Sequence, residues 1–154
     1  LAANLPIDEY IREKLLLFTV ASTIAFFLCA FYGLIDWRIL PIQAAAFLYN
    51  IGVNSVLTVW FSTFSYKGVD LSKSQAFNYQ GSGGAANIVY TLIVMLGPFV
   101  IYLPLMLFGY AWTGIVVIGA LGLASLLCRN WWIEFLTKEF YKRKYLILQG
   151  FREK

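Results

Sequence analysis

Long stretches without charge constrain this chain more than any other feature of its sequence. No Asp, Glu, Lys or Arg occurs in residues 15–35, 39–66 or 74–128. An α-helix rises about 1.5 Å per residue, so roughly twenty such residues cross the hydrocarbon core of a bilayer. Hydrophobic residues make up 60% of the 154 residues and charged residues 13%, whereas soluble domains average about half and about a quarter. The sequence therefore predicts an all-α integral membrane protein.

Turn-forming and polar residues divide these stretches into about four transmembrane helices within a single membrane domain. The tripeptide Asp36-Trp37-Arg38 separates the first two, and the turn-rich segment 109–114 separates the last two. Pro41 suits the first turn of a helix, where a missing N–H costs nothing. The predicted spans are 15–35, 39–64, 88–108 and 115–128, with a polar cytoplasmic loop at 65–87 and an interfacial helix at 129–148.

The segment 129–148 has the pattern of an amphipathic helix that lies on a membrane surface. Its apolar and basic side chains recur at helical spacing, namely Trp132, Phe135, Leu136 and Phe140 beside Lys138, Lys142, Arg143 and Lys144. Each charge at the bilayer centre would cost roughly 2.5–3.5 kcal/mol. We therefore expect this segment to lie along the cytoplasmic interface instead of forming a fifth span.

The distribution of basic residues predicts the orientation. One predicted connection carries only Arg38, whereas the other face carries Arg12, Lys14, Lys67, Lys73, Arg129, Lys138, Lys142, Arg143, Lys144, Arg152 and Lys154. By the positive-inside rule, the crowded face and both termini are cytoplasmic. The basic residues flank apolar segments and form no stripe on a soluble domain, so the expected partner is the lipid bilayer and not a nucleic acid.

The sequence predicts no enzyme, cofactor site or metal site. It contains no histidine, the commonest general base and a frequent metal ligand, and no nucleophile–base pair is available. Residues 81–86 (GSGGAA) fit the letters of a dinucleotide-binding loop, but that loop needs a preceding strand in a βαβ unit. No phosphate-binding G-x-x-x-x-G-K-[ST] motif occurs, so a partner would have to supply any ATP binding.

One predicted span carries a polar stripe. Asn50, Asn54, Thr58 and Ser62 follow one another at i,i+4 spacing in span two. Because amides in hydrocarbon need partners, we expect the stripe to face protein or a water-filled path. Interhelical hydrogen bonding is the favoured alternative, since no ionisable group accompanies the stripe and ion-coupled paths usually contain one.

Small residues recur on two other predicted spans. Span one contains Ala21, Ala25, Cys29 and Gly33 at i,i+4 steps. Span four contains Gly119, Ala120, Gly122 and Ala124. Such faces let helix backbones approach closely, and the approaching helix can belong to this chain or to another.

Three short segments resemble a known family. They are residues 5–14 (LPIDEYIREK), 77–81 (FNYQG) and 142–152 (KRKYLILQGFR). With these, the chain resembles the C-terminal part of an uncharacterised Bacteroidota family of multi-spanning proteins, itself distantly similar to type-2 ABC exporter permeases, in which the first segment would be the cytoplasmic elbow. The resemblance implies a permease-like module in a bacterial inner membrane, working with a separate cytoplasmic ATPase. The alternative is a non-catalytic structural or accessory subunit of a larger membrane complex, with other membrane subunits as partners.

Overall fold

The computed structural model describes residues 6–64 and 84–152, and the side chains of residues 6–64 and 88–144. The described residues contain six α-helices and no strand, which confirms the all-α prediction. The helices are α1 (Ile7–Ala30), α2 (Ile39–Tyr49), α3 (Ser55–Ser62), α4 (Gly84–Leu107), α5 (Ala111–Leu127) and α6 (Arg129–Arg152).

Helix α1 begins well before the predicted first span. It runs without a break from Ile7, and Asp8 and Glu9 lie in its first turn, where negative charge stabilises the helix dipole. Residues 7–14 are thus the first turns of the same helix. A 3-10 turn at Phe31–Leu34 ends the rod, and the Asp36 carboxylate accepts a 2.9 Å hydrogen bond from the Arg38 N–H in the turn that follows.

Helices α2 and α3 form one rod with a π-helical turn between them. The π turn covers Asn50–Asn54, and the rod as a whole runs over 39–62, where the sequence predicts a span over 39–64. A π turn holds more residues than an α-helical turn and appears mostly as a single-turn insertion inside α-helices. It therefore rotates every later side chain about the helix axis, relative to an uninterrupted α-helix.

Helices α4 and α5 form a hairpin. Helix α4 begins at Gly84, before the predicted start at residue 88, and contains Pro98 and Pro104. The remainder of the predicted polar loop, residues 65–83, lies outside the described residues. Gly109 joins the two helices with a φ of 84°, a left-handed conformation that favours glycine. Helix α5 begins at Ala111, so it extends the predicted fourth span back into the hairpin.

Three helical rods are long and apolar enough to cross a membrane. They cover 7–34, 39–62 and 88–107, whereas α5 passes the same test only together with α6, from which it is bent by 70°. Large apolar side chains point outward, with Leu17 66%, Phe27 65% and Val100 70% exposed. A water-soluble protein rarely exposes so much contiguous apolar surface. The fold is thus compatible with a multi-pass membrane protein.

The closest helix contact joins α5 to α2 and the π turn. A Cβ atom on Gly122 would overlap the backbone of Leu48 and Tyr49, and one on Gly52 would overlap the Gly122 carbonyl group. The Ser125 hydroxyl donates a 2.9 Å hydrogen bond to the Gly52 carbonyl oxygen at the same crossing. Two glycines therefore let the helix backbones touch, as small residues do in membrane proteins.

A second packed region, here called the terminal cluster, lies where α1 begins, α3 ends and α6 crosses both. It consists of the buried side chains Ile11, Leu15, Val56, Val59, Ile133 and Leu136. Ile11 and Leu136 are the two large side chains of this cluster with almost no exposure. Helix α6 is therefore held against two of the membrane-length rods and does not project away from them.

Replacing Gly122 with alanine tests the α2–α5 crossing. The added methyl group has to displace backbone atoms, so we expect Gly122→Ala to lower the free energy of unfolding by about 1–3 kcal/mol, as overpacking commonly does. Gly119→Ala is the matched control, because its Cβ would lie 3.4 Å from the Ala45 Cβ and should be neutral or slightly stabilising. Unfolding in detergent micelles, followed by tryptophan fluorescence, measures both. Equal stability of the two variants would contradict the crossing.

Candidate functional site

A groove of about 630 Å³ lies in the membrane-length part of the bundle. We call it the α1–α4 groove because those two helices form its sides, while α2 and the π turn form its wall and Ile115 and Ile118 of α5 line its base. Helix α4 packs mainly on α5, and α1 packs mainly on α2, α3 and α6. The space between α1 and α4 is thereby left open. Its volume lies within the range usual for small-molecule sites.

The sides of the groove are largely apolar and aromatic. Phe26 of α1 packs against Phe47 of α2 with ring centroids 4.9 Å apart, and both rings line the groove with Phe99 and Tyr102 of α4. The four lining residues with polar amide or aliphatic hydroxyl side chains are Ser22, Gln43, Asn50 and Asn54. Among the residues that the structure describes, none of those lining the groove is an Asp, Glu, Lys or Arg.

A chain of hydrogen bonds connects α1 to the π turn inside the groove. The Asn54 amide nitrogen donates to the Asn50 side-chain oxygen at 3.2 Å. The Asn50 amide nitrogen donates in turn to the Ser22 hydroxyl of α1 at 2.8 Å. Asn50 thus makes the interhelical contact that the sequence favours for its polar stripe.

The other half of the polar stripe has a different environment. The Thr58 hydroxyl donates to the Asn54 carbonyl oxygen at 2.7 Å, and the Ser62 hydroxyl donates to the Val59 carbonyl oxygen at 2.6 Å. Both bonds lie within the same rod, and neither residue is among those that line the groove. Each i,i+4 step in an α-helix rotates a position by about 40°, so three steps place Ser62 about 120° from Asn50 around the axis. This drift and the distance along the rod explain why i,i+4 spacing does not keep all four residues in the groove.

Gln43 also lines the groove, although it is not part of the polar stripe predicted from the sequence. Its amide nitrogen donates a 2.8 Å hydrogen bond to the Cys29 carbonyl oxygen of α1. Gln43 precedes Asn50 by seven residues, about two helical turns, so its position on the same face was available from the spacing.

Two buried amide oxygens in the groove lack partners. The Gln43 Oε1 and Asn54 Oδ1 atoms are inaccessible to solvent and accept no hydrogen bond from any residue that the structure describes. A buried unpaired polar group costs roughly 1–3 kcal/mol. The polar groups beside the groove are therefore incompletely satisfied by the residues that the structure describes.

The basic residues predicted on α6 are largely paired within the helix. The Lys138 ammonium lies 2.6 Å from the Glu134 carboxylate and the Lys142 ammonium 2.7 Å from Glu139, while Lys144 lies 6.0 Å from the Tyr141 ring centroid. Hydrogen bonding to these lysines lowers the pKa of Glu134 and of Glu139. Both carboxylates therefore stay ionised to a lower pH than an unpaired glutamate does. The stabilisation from each pairing is lost as the pH falls through the lowered pKa.

Arg143 connects α6 to the end of α3. Its guanidinium carbon lies 3.7 Å from the centroid of the Phe64 ring, a cation–π distance, and its Nε atom lies 3.7 Å from the Glu139 carboxylate. Arg143 thus complements the apolar packing of the terminal cluster at the edge of the bundle.

No group of His, Cys, Asp and Glu side chains suitable for a metal ion occurs in the part of the chain that the structure describes.

The comparison with protein families gives a match over residues 1–154, and the chain belongs to the family described as "Family of unknown function (DUF5687)". Neither a curated protein nor a solved structure matches the chain.

Replacing the two asparagines separately tests the hydrogen-bond chain. Asn50→Leu deprives both Ser22 and Asn54 of their partner, so we expect the free energy of unfolding to fall by about 0.5–2 kcal/mol. Asn54→Leu removes one hydrogen bond to Asn50 but also removes the unpaired Asn54 oxygen, so it should lower the free energy of unfolding by less. Thr58→Val is the control, because Thr58 bonds only within its own rod. Denaturant titration in mixed micelles measures all three. A larger loss in Asn54→Leu than in Asn50→Leu would be incompatible with this network.

Proposed function

We propose that this chain is a permease-like membrane module of an ABC-type transporter in a bacterial inner membrane, working with a separate ATPase subunit. In this proposal α5 provides the fourth crossing, both termini are cytoplasmic, and α6 lies along the cytoplasmic surface. The chain itself performs no catalysis. The observation that carries the proposal is the terminal cluster, which fastens a charged helix to two membrane-length rods.

The charges of α6 support its position at the membrane surface. Glu134, Lys138, Glu139, Lys142 and Arg143 lie within three helical turns, and insertion scales assign such residues a cost of roughly 2.5–3.5 kcal/mol each at the bilayer centre. The bend of 70° after α5 turns this segment away from the direction of the preceding helix. A position along the membrane interface keeps these charges out of the hydrocarbon and agrees with the bend.

The terminal cluster is suited to transmit motion from a cytoplasmic partner. Leu136 and Ile133 of α6 pack against Ile11 of α1 and Val59 of α3. A force on α6 would therefore reach two rods that line or adjoin the α1–α4 groove. A permease needs such a connection, since nucleotide-dependent movements of an ATPase must change the shape of the membrane domain.

The main alternative is a structural or accessory subunit of a larger membrane complex. One observation favours it: Ala120 and Ala124 are exposed on successive turns of α5, where they would let a helix of another subunit approach closely. In that case α6 would dock a cytoplasmic subunit that hydrolyses no nucleotide.

Single-cysteine labelling tests the orientation. In a Cys29→Ser/Cys128→Ser background, we expect Arg38→Cys to react with a membrane-impermeant maleimide added outside intact cells. Lys144→Cys should react only after the membrane is permeabilised, because positive residues stay cytoplasmic. Rapid external labelling of Lys144→Cys would reverse the proposed orientation.

Purification of the tagged protein from its native membrane tests the permease proposal. We expect a nucleotide-hydrolysing subunit to co-purify in a fixed ratio. Charge reversal of the α6 residues Lys142 and Lys144 to Glu should reduce both its recovery and the ATPase activity of the complex. Arg38→Glu is the matched control, because it makes the same kind of charge change at the other end of the bundle.

Two outcomes decide between the proposals. A complex whose ATPase activity falls in the α6 variant but not in Arg38→Glu supports a permease module. A stable complex whose subunits bind no nucleotide would refute the permease proposal and support the structural alternative.

A further inference from the structure

We propose that the two helix connections at the end of the bundle opposite α6 bind phospholipid, seated in the headgroup layer at the edge of the hydrocarbon. They are residues 31–38, which join α1 to α2, and residues 107–112, which join α4 to α5. We call them the two tips. The inference rests on the proposed position of α6 along one membrane surface, and it involves no ATPase partner.

The packing of α5 on α2 brings both tips to the same end of the bundle. A Cβ atom on Gly119 would lie beside Ala45, and one on Gly122 would meet the backbone of Leu48. Residue numbers rise together along the two helices, so α2 and α5 run in the same direction. The connections that precede them therefore lie at one end, and α6, which follows α5, lies at the other.

The same crossing places the two tips at nearly the same height. Helix α2 begins at Ile39, nine residues before Leu48, and α5 begins at Ala111, eleven residues before Gly122. These separations correspond to rises of about 14 Å and about 16 Å along the helices. The two tips therefore meet the membrane at one level.

The length of α5 determines how far the tips can lie from α6. Helix α5 contains 17 residues, and α6 begins at Arg129. From Ala111 to Arg129 a helix rises about 27 Å, which is less than the roughly 30 Å of the hydrocarbon core. With Arg129 at one membrane surface, Ala111 reaches no farther than the opposite edge of the hydrocarbon, and any tilt of α5 draws it deeper. The tips thus end within the membrane boundary.

The apolar side chains of the tips fit this boundary. Leu34 and Ile35 of the first tip are 85% and 80% exposed, and Leu107 and Phe108 of the second are 83% and 78% exposed. Exposure of such large apolar surfaces to water is unfavourable. At the edge of the hydrocarbon the same side chains contact acyl chains instead.

Aromatic and charged residues complete the pattern of a membrane interface. Trp37, Tyr110 and Trp112 are exposed, and their rings favour the headgroup layer because each combines an apolar body with a polar atom. The tips contain two charged residues, Asp36 and Arg38. The Asp36 carboxylate accepts a hydrogen bond from the Arg38 N–H, and the long Arg38 side chain can extend to a lipid phosphate.

Fluorescence depth measurements test this inference. In a background without the native cysteines, Leu34→Cys and Phe108→Cys place a nitrobenzoxadiazole label on each tip, Val116→Cys places it on α5, and Lys138→Cys places it on α6. All four side chains are exposed, so the labels displace no packed side chain. The full chain is reconstituted in phosphatidylcholine vesicles. Quenching is measured with aqueous iodide and with lipids that carry a nitroxide near the headgroup or near the end of the acyl chain.

We expect both tip labels to lie at one depth, about 15 Å from the bilayer centre, which is half the thickness of the hydrocarbon core. The nitroxide near the headgroup should quench them more than the nitroxide near the chain end. Val116 lies five residues beyond Ala111, so its label should be about 7 Å deeper than the tip labels and should respond more to the deep nitroxide. If a tip variant fails to fold, the exposed residues Tyr32 and Met106 provide other positions for the label.

Quenching of either tip label by iodide but by neither nitroxide would place that tip in water and overturn the inference. A tip label shielded from all three quenchers would mean that a second copy of the chain covers the tip, and the lipid inference would again be wrong. The Lys138 label separates these failures from a failure of the proposed position of α6. A shallow Lys138 label together with a tip in water overturns this inference alone, whereas a Lys138 label near the bilayer centre overturns both.

Discussion

The backbone contact between α5 and the α2 rod positions the remainder of the bundle. In a bilayer, lipid tails are as apolar as leucine side chains, so helix association depends on close packing and a few interhelical hydrogen bonds. Gly52 and Gly122 permit that packing, and the Ser125 hydroxyl reinforces it through the Gly52 carbonyl oxygen. With α5 fixed against α2, α4 follows through the hairpin at Gly109, and the α1–α4 groove forms beside the rod with Ile115 and Ile118 of α5 at its base.

The π turn connects this contact to the groove. It contains Gly52, which touches α5, and it also contains Asn50 and Asn54, which face α1 and the groove. A change of helix spacing at Gly52 would therefore shift the polar groups as well. The terminal cluster provides a second fixed point at the other end of α1, where Ile11 and Leu136 are almost completely buried. Between these two points, α1 and α4 flank an open space.

Hydropathy and charge predicted much of the helical architecture, since the uncharged stretches correspond to membrane-length rods and the charged C-terminal segment forms a separate helix. The continuity of α1 was not apparent, because Arg12 and Lys14 mark a polarity boundary without interrupting the helix. The π turn was not predicted either, since residues 50–54 contain no proline or other local signal that specifies a wider turn. The i,i+4 spacing grouped Thr58 and Ser62 with the two asparagines, although each such step drifts by about 40° around the helix.

The candidate site was predicted less completely than the helices. Asn50 and Asn54 stood out because amides are rare in apolar spans, whereas Gln43 lay outside the regular i,i+4 series. The groove itself depends on how α1 and α4 are arranged around α2, which no pattern within one helix specifies. The resemblance to exporter permeases remains a proposal about function, supported by the terminal cluster and by the charges of α6.

The depth of α6 in the membrane distinguishes a helix on the membrane surface from a helix that crosses it. Spin labels at the exposed positions Glu134, Lys138 and Tyr141, in a protein without Cys29 and Cys128, report depth through the ratio of oxygen to polar nickel-complex accessibility. Labels at Val116, Leu123 and Leu127 on α5 supply a reference gradient. For a surface helix we expect one shallow depth for the three α6 labels and a steep gradient along α5. Depth that increases along α6 by about 1.5 Å per residue would mean that α6 crosses the membrane, and the proposed architecture would be wrong.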